Sequence, residues 1–206
     1  EARVARWNNG EGRSAPIRTY DRGAFEIELS LLPDWYWPLV RGGPIPEDAR
    51  AAFDAAWTPV LDRLLADPSR TLALRDYHSP NLIYLPERDG APHNQVGLID
   101  CQDALIGHPA FDLVSLLQDA RLDVADDIQD RLLERYVAAV SARETDFDAT
   151  AFRFAYAALG AQRQCDPHLV DALLVEVGEQ AVGGPEHRQP CGTRAGECRV
   201  VVIEAV

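Results

Sequence analysis

Apolar residues return every three or four positions along much of the chain, the period of helices with one buried face. From Asp21, a suitable N-cap, the positions Phe25, Ile27, Leu29, Leu31 and Leu32 predict an imperfect helix ending near Leu32. The run Gly42-Gly43-Pro44-Ile45-Pro46 breaks the pattern, and Glu47 and Asp48 then open a stronger helix through Leu65. Acids favour that end because the first turn leaves backbone N–H groups without helical partners. Phe53, Trp57, Val60, Leu61, Leu64 and Leu65 form its core face, with Pro59 as the point of a kink. Further on, 112–120 and 123–141 predict two more helices, the second with Ile128, Leu132, Leu133, Tyr136 and Val140 in register. Thr145-Asp146 marks the cap of another, whose face carries Phe147, Ala151, Phe154, Ala155, Ala158 and Leu159. Asp166-Pro167 reads as the start of one more, through Val177.

Two short runs depart from that period. Leu82 to Leu85 and Val96 to Ile99 are continuous apolar segments around a polar turn from Pro86 to Asn94, which predicts a β-hairpin. The fold class expected is therefore mainly α with one β-hairpin as its only substantial sheet. Before it, 1–19 reads as an irregular arm with turn signals at Asn8-Asn9-Gly10 and Gly12; 20–164 is the main body. Residues 165–206 form an atypical tail, one helix and then disorder, with Gly183-Gly184-Pro185 and an isolated Val200-Val201-Val202-Ile203.

The hairpin also orders the polar residues. Asp76 and Asn81 precede its first strand and Asp100 ends its second, so the turn brings an acid, an amide and an acid toward one edge. An acid to orient a hydroxyl, with an amide and an acid to hold magnesium, is what phosphoryl transfer to an alcohol requires. Asp34-Trp35-Tyr36-Trp37-Pro38 offers aromatic packing between helices, or a platform for the C–H face of an acceptor.

Composition narrows the partners. A chain of 206 residues, 47% hydrophobic, can bury one sizeable core. The net charge of -13 argues against nucleic acid and anionic membrane surfaces as partners. No apolar run approaches the ~20 residues of a membrane span, and the first residues lack a basic region followed by an apolar core, so a cytoplasmic location is expected. Cys101, Cys165, Cys191 and Cys198 contain no C-x-x-C pair, so neither a zinc site nor a disulfide framework is expected.

Two motifs carry a resemblance. Arg75-Asp76-Tyr77-x-x-x-Asn81 fits a kinase catalytic loop from its Arg to its Asn, with Leu74 where His would stand. Ile99-Asp100 is followed by Gly107-His108-Pro109-Ala110-Phe111-Asp112-Leu113. On these the chain resembles the aminoglycoside phosphotransferase and choline kinase-like superfamily. From about Tyr20 to Gln164 it is most similar to the amino-sugar kinase branch, including Asp-Trp-Tyr-Trp-Pro, Arg41-Gly42-Gly43-Pro44 and Val114-Ser115-Leu116-Leu117-Gln118-Asp119.

The resemblance implies the C-terminal, helix-rich lobe of a protein kinase-like fold. It implies ATP as phosphoryl donor, Mg2+ as cofactor, and a small-molecule hydroxyl as acceptor. The acceptor of that branch is the anomeric hydroxyl of N-acetylmuramate or N-acetylglucosamine, in cell-wall recycling; an aminoglycoside antibiotic kinase and a truncated, non-catalytic binding module are the alternatives. Asp76 would be the catalytic acid, Asn81 the second magnesium ligand, and Asp100 the principal ligand bridging the phosphates. His78, Gln102, Asp103, Trp35 and Trp37 would serve the acceptor side. Arg75 and Asp112 would support the loop, Asp112 also capping a helix. Cys101 reads as a small core residue, and His93 and His108 as residues without a role. No Gly-rich phosphate loop, strand lysine or adenine hinge precedes Asp76, and every basic residue of the chain is Arg. The N-terminal sheet lobe is therefore expected to be absent, a missing partner of this lobe.

Overall fold

The computed structural model describes residues 6–8, 14–90, 95–119, 122–163 and 165. Asp21 caps α1 (Arg22–Leu31), its side chain accepting from the Ala24 N–H at 3.0 Å. The helix does not stop at Leu32. Pro33 lacks an N–H to donate, and the chain widens into a π-helical turn, Leu32–Tyr36, before α2 (Trp37–Arg41). The aromatic segment is thus itself helical. Gly42, in the left-handed region at φ 72°, ends α2 and donates to the Pro38 carbonyl at 2.8 Å.

α3 (Glu47–Ala66) follows as its apolar spacing predicts, burying Leu61 and Leu64 while Phe53, Trp57, Val60 and Leu65 pack beside them. α4 (Ala110–Leu117) begins ahead of the predicted Asp112, because Ala110 and Phe111 are themselves core residues. α5 (Asp126–Ser141) buries Val137 and packs Leu132, Leu133 and Tyr136 of the predicted stripe against the core, while Ile128 is exposed. α6 (Ala149–Arg163) is opened by Asp148, not by Thr145-Asp146: its carboxylate accepts from the N–H groups of Thr150 and Ala151, each at 2.9 Å. Its buried face runs through Phe152, Ala155, Tyr156, Ala158 and Leu159.

α6 is the spine of the core. It packs on α4, α3 and α1, and Phe152 collects the rings of Tyr136 at 5.0 Å, Phe147 at 5.4 Å and His108 at 5.9 Å. Tyr20 meets Phe25 and Phe111 edge-on at 4.3 and 5.1 Å, joining α1 to α4. The predicted helix from Asp166 lies outside the described residues.

Among the described residues the single predicted hairpin is one of three antiparallel pairs. It is present, with β4 (Leu82–Tyr84) paired to β5 (Val96–Leu98) in the register Leu82 to Leu98. β1 (Arg6–Asn8) pairs with β2 (Ser14–Pro16), inside the stretch read as an irregular arm. β3 (Thr71–Ala73) pairs with β6 (Leu105–Gly107), Ala73 opposite Leu105. Three-residue strands are too short to show a period of two, and β3 and β6 are distant in sequence, so no local pattern announces them. β3 leads into the Arg75 loop and β6 leads into α4, so their pairing sets α4 beside that loop. The chain before α1 locks on as well: Tyr20 N–H donates to Ile106 O at 2.9 Å and Ile106 N–H to Arg18 O at 2.8 Å.

Candidate active site

Leaving β3, the chain turns within three residues. Asp76 N–H donates to Leu74 O at 2.9 Å across Arg75, whose φ of 68° makes this a γ-turn of the uncommon, strained hand. A non-glycine residue there costs of order 1–3 kcal/mol and persists only where its surroundings hold it. Three groups hold it. Asp112, in the first turn of α4, accepts from the Leu74 N–H with both oxygens at 2.9 Å and from the Arg75 N–H at 3.1 Å. Ser115, one turn along α4 and buried, donates to the Arg75 carbonyl at 2.8 Å. The Arg75 guanidinium reaches Glu28 of α1 at 2.9 Å.

Asp112 therefore spends its carboxylate on the loop. It does not cap α4, whose N-cap position is Pro109 with no side-chain hydrogen bond. Burial pushes the Asp112 carboxyl above its ordinary value, and the charge of Asp76 adds to that, while the Leu74 and Arg75 N–H groups and Arg163 oppose it.

Glu28 joins parts distant in sequence. Besides Arg75, it accepts from Gln162 Nε2 of α6 at 2.7 Å and from the Tyr20 hydroxyl. Its signal in the sequence is an acid set between Phe25 and Leu29, inside the stripe α1 buries. Ser115, between Val114 and Leu117, is the same kind of signal.

After Asp76 a second tight turn follows, His78 N–H donating to Asp76 O at 3.0 Å, and then a single 3-10 turn, Ser79–Asn81. Asn81 Nδ2 donates back to the Asp76 carbonyl at 2.9 Å and lies 3.2 Å from His78 Nε2. His78 is buried rather than presented on the loop surface, and its Nδ1 stands 4.0 Å from Asp119 Oδ2.

The hairpin returns the other acid. Ile99 N–H donates to Asn81 O at 3.1 Å, extending the β4–β5 pairing so that Asp100 emerges next to Asn81. Asp100 has φ 61°; with Arg75 it is one of two described non-glycine residues in the left-handed region, and both stand at this site. Its carboxylate accepts from Gln102 Nε2, while Asp103 is exposed in the following turn. Cys101 is exposed, not a core residue, because the left-handed turn at Asp100 swings it outward.

Asp76, His78 and Asn81 thus share one hydrogen-bonded loop, with Asp100 and Gln102 delivered beside it. Trp35 and Trp37 stand apart. Trp35 is 68% exposed, and Trp37 carries the Arg41 guanidinium over its ring at 5.5 Å. Among the described residues neither makes a ring contact or hydrogen bond to the loop. His108, read as having no role, is buried and structural: Nδ1 accepts from the Ala110 N–H at 3.1 Å and Nε2 lies 3.3 Å from Asp67 Oδ2.

Among the described residues no three His, Cys, Asp or Glu side chains gather into a metal cage of their own. An amide oxygen and a carboxylate are nevertheless the right donors for magnesium, which prefers oxygen and keeps water and phosphate in its remaining positions.

The chain belongs to the phosphotransferase enzyme family, whose profile matches residues 18–154. Within it the chain is similar to the N-acetylmuramate/N-acetylglucosamine kinase of Caulobacter vibrioides, 40% identical over 151 residues, covering 73% of this chain and 39% of that protein. The kinase of the same name from Neisseria meningitidis is 31% identical over 124 residues, 60% of this chain and 35% of that protein. That from Pseudomonas putida is 30% identical over 106 residues, 52% of this chain and 29% of that protein. The chain thus matches well under half the length of each of these relatives. Among the described residues no helix is long and apolar enough to cross a membrane.

Proposed function

We propose that this chain carries the acceptor-side and metal-side residues of an ATP-dependent kinase acting on the anomeric hydroxyl of an amino sugar, N-acetylmuramate or N-acetylglucosamine. Asp76 orients the acceptor hydroxyl and takes its proton as its oxygen bonds to the γ-phosphorus and the bond from that phosphorus to the departing ADP breaks. Asn81 and Asp100 hold magnesium, which, when bound, neutralises charge on the phosphates. Asp112, Ser115 and Glu28 fix the turn that aims Asp76. The lobe works in the cytoplasm, where ATP is available, and neither nucleic acid nor membrane is its partner.

The observation that carries this reading is the junction of loop and hairpin: Asn81 Nδ2 on the Asp76 carbonyl at 2.9 Å, and Ile99 N–H on the Asn81 carbonyl at 3.1 Å. It makes an acid, an amide and a second acid neighbours through the backbone. The grip on nucleotide phosphates and adenine comes from an N-terminal lobe. The exposed apolar side chains of Leu72, Tyr84, Leu98 and Ile99 around the loop and hairpin suit a surface that packs against one.

The test is magnesium-dependent phosphorylation of both sugars, by this chain alone and with a family member's N-terminal lobe supplied in cis or in trans. Turnover is expected only with the added lobe, because loss of nucleotide positioning forfeits a large share of the roughly 7–11 kcal/mol that orientation can supply. Asp76→Asn in the complemented enzyme should remove most of kcat and change the sugar KM less. Phosphorylation of an aminoglycoside in preference to either sugar would replace the acceptor, and no turnover with a folded, complemented enzyme would sink the catalytic reading.

A further inference from the structure

We infer that His78 is a positioning residue for Asn81: its Nε2 accepts from the Asn81 amide, Asp119 favours the ring tautomer this needs, and the amide oxygen is thereby aimed outward as a cation ligand. This rests on the metal role proposed above for Asn81.

The hydrogen-bond chemistry leaves one assignment. Asn81 Nδ2 is 2.9 Å from the Asp76 carbonyl oxygen, which can only accept, so the amide nitrogen must face it; the reversed amide would set two oxygens against each other. The same nitrogen lies 3.2 Å from His78 Nε2. An amide nitrogen donates and does not accept, so Nε2 must be bare. A neutral imidazole then carries its hydrogen on Nδ1, the atom 4.0 Å from Asp119 Oδ2. The side chains of His78 and Asp119 are only 7% and 2% exposed, so water competes little for this arrangement. With both amide hydrogens engaged, Asn81 Oδ1 is turned away from His78 and Asp76 together.

The consequence reaches beyond the pair. Asp119 lies just past the C-terminal end of α4, the helix whose Asp112 and Ser115 hold the loop at Leu74 and Arg75. α4 therefore fixes the loop at its entry through Asp112 and Ser115, and the residue just past it, Asp119, stands beside His78 at the metal-ligand end.

Long-range 1H–15N correlation of the full chain near pH 8, where an ordinary imidazole is neutral, reads the tautomer directly, with His78→Gln identifying the ring. The Nδ1–H tautomer is expected; an Nε2–H tautomer for His78 overturns the inference, because that hydrogen would point into the Asn81 amide. Mn2+ binding, followed by electron paramagnetic resonance, supplies the second readout. His78→Leu should weaken Mn2+ by roughly 10-fold, the scale of losing a group that orients a metal ligand. His78→Gln, whose amide oxygen can accept, should recover part of the loss in a protein with the wild-type melting curve. Wild-type Mn2+ affinity in a folded His78→Leu variant, alongside a clear loss in Asn81→Ala, also overturns the inference. If Asn81→Ala binds Mn2+ normally, the metal role of Asn81 has failed. The tautomer and the shift of the Asn81 amide signals in His78→Gln then decide the contact by themselves, and if His78→Leu does not fold, these two readouts decide it equally.

Discussion

Glu28 and Arg75, 47 residues apart, meet at 2.9 Å and tie α1 to the residue that precedes Asp76. Glu28 also serves Tyr20 and Gln162, so its removal leaves three donors without their acceptor. Glu28→Ala should destabilise the chain by roughly 1–3 kcal/mol in denaturant unfolding, the cost of stranding partly buried donors. Glu28→Gln keeps an acceptor and should lose less. An alanine variant within about 0.5 kcal/mol of wild type, the range of ordinary surface changes, would mean that the Glu28 contacts do not hold the fold.

Asp112→Ala removes the acceptor for the backbone N–H groups of the strained residue Arg75 and of Leu74 before it. A loss of about 1–3 kcal/mol is expected, with faster hydrogen exchange at Leu74 and Arg75 as its local signature. Asp112→Asn keeps an acceptor oxygen and should be milder. The pH dependence has a definite sign. Burial sets the folded carboxyl above its ordinary 3.8, so this group's contribution weakens as pH rises through the window between 3.8 and the folded value. The Asn variant should lack that component.

His108 titrates in the opposite sense. Burial holds its folded pKa below the ordinary 6.5, against the pull of Asp67 and with the help of Arg70. The unfolded chain therefore binds the proton first as pH falls. The His108 contribution is complete above 6.5 and is lost progressively as pH drops from there through the folded pKa. A second proton would fall on Nδ1, the acceptor of the Ala110 N–H at the start of α4. Unfolding free energies measured across this range should show the decline in the wild type and a smaller one in His108→Gln. An identical slope in the variant would assign the decline to other groups.

Gly42 closes α2 at φ 72°, and among the described residues no atom lies near the place a Cβ would take. Strain alone, not collision, should then set the cost of Gly42→Ala at about 1–2 kcal/mol. A thermal melt lowered by a few degrees checks it, and an unchanged melt would mean that the turn adopts another conformation.

The sequence by itself determined the parts whose cause is local. Asp21 was legible as a cap because a carboxylate before an apolar repeat has one obvious use, and α3 because its core positions repeat for about three turns. The β4–β5 hairpin was legible because its turn is rich in Pro, Gly and charge, and the candidate residues Asp76, Asn81 and Asp100 because they flank it. Tertiary structure decided what depends on partners far along the chain. β3 and β6 are strands only because each finds the other; three apolar residues carry no period. Phe152, rather than Phe154, is the buried phenylalanine of α6 because the aromatic side chains of α5 and of the turn before α6 converge on it. Glu28 and Ser115 interrupt otherwise apolar faces, and only the folded chain brings the Arg75 guanidinium and carbonyl that make their burial favourable. His78 could be placed in the loop from its neighbours, but the acid beside its ring, Asp119, comes from just past α4, forty-one residues away. Contacts of that kind have no sequence period, so the loop was readable as a motif while the groups that hold its shape were not.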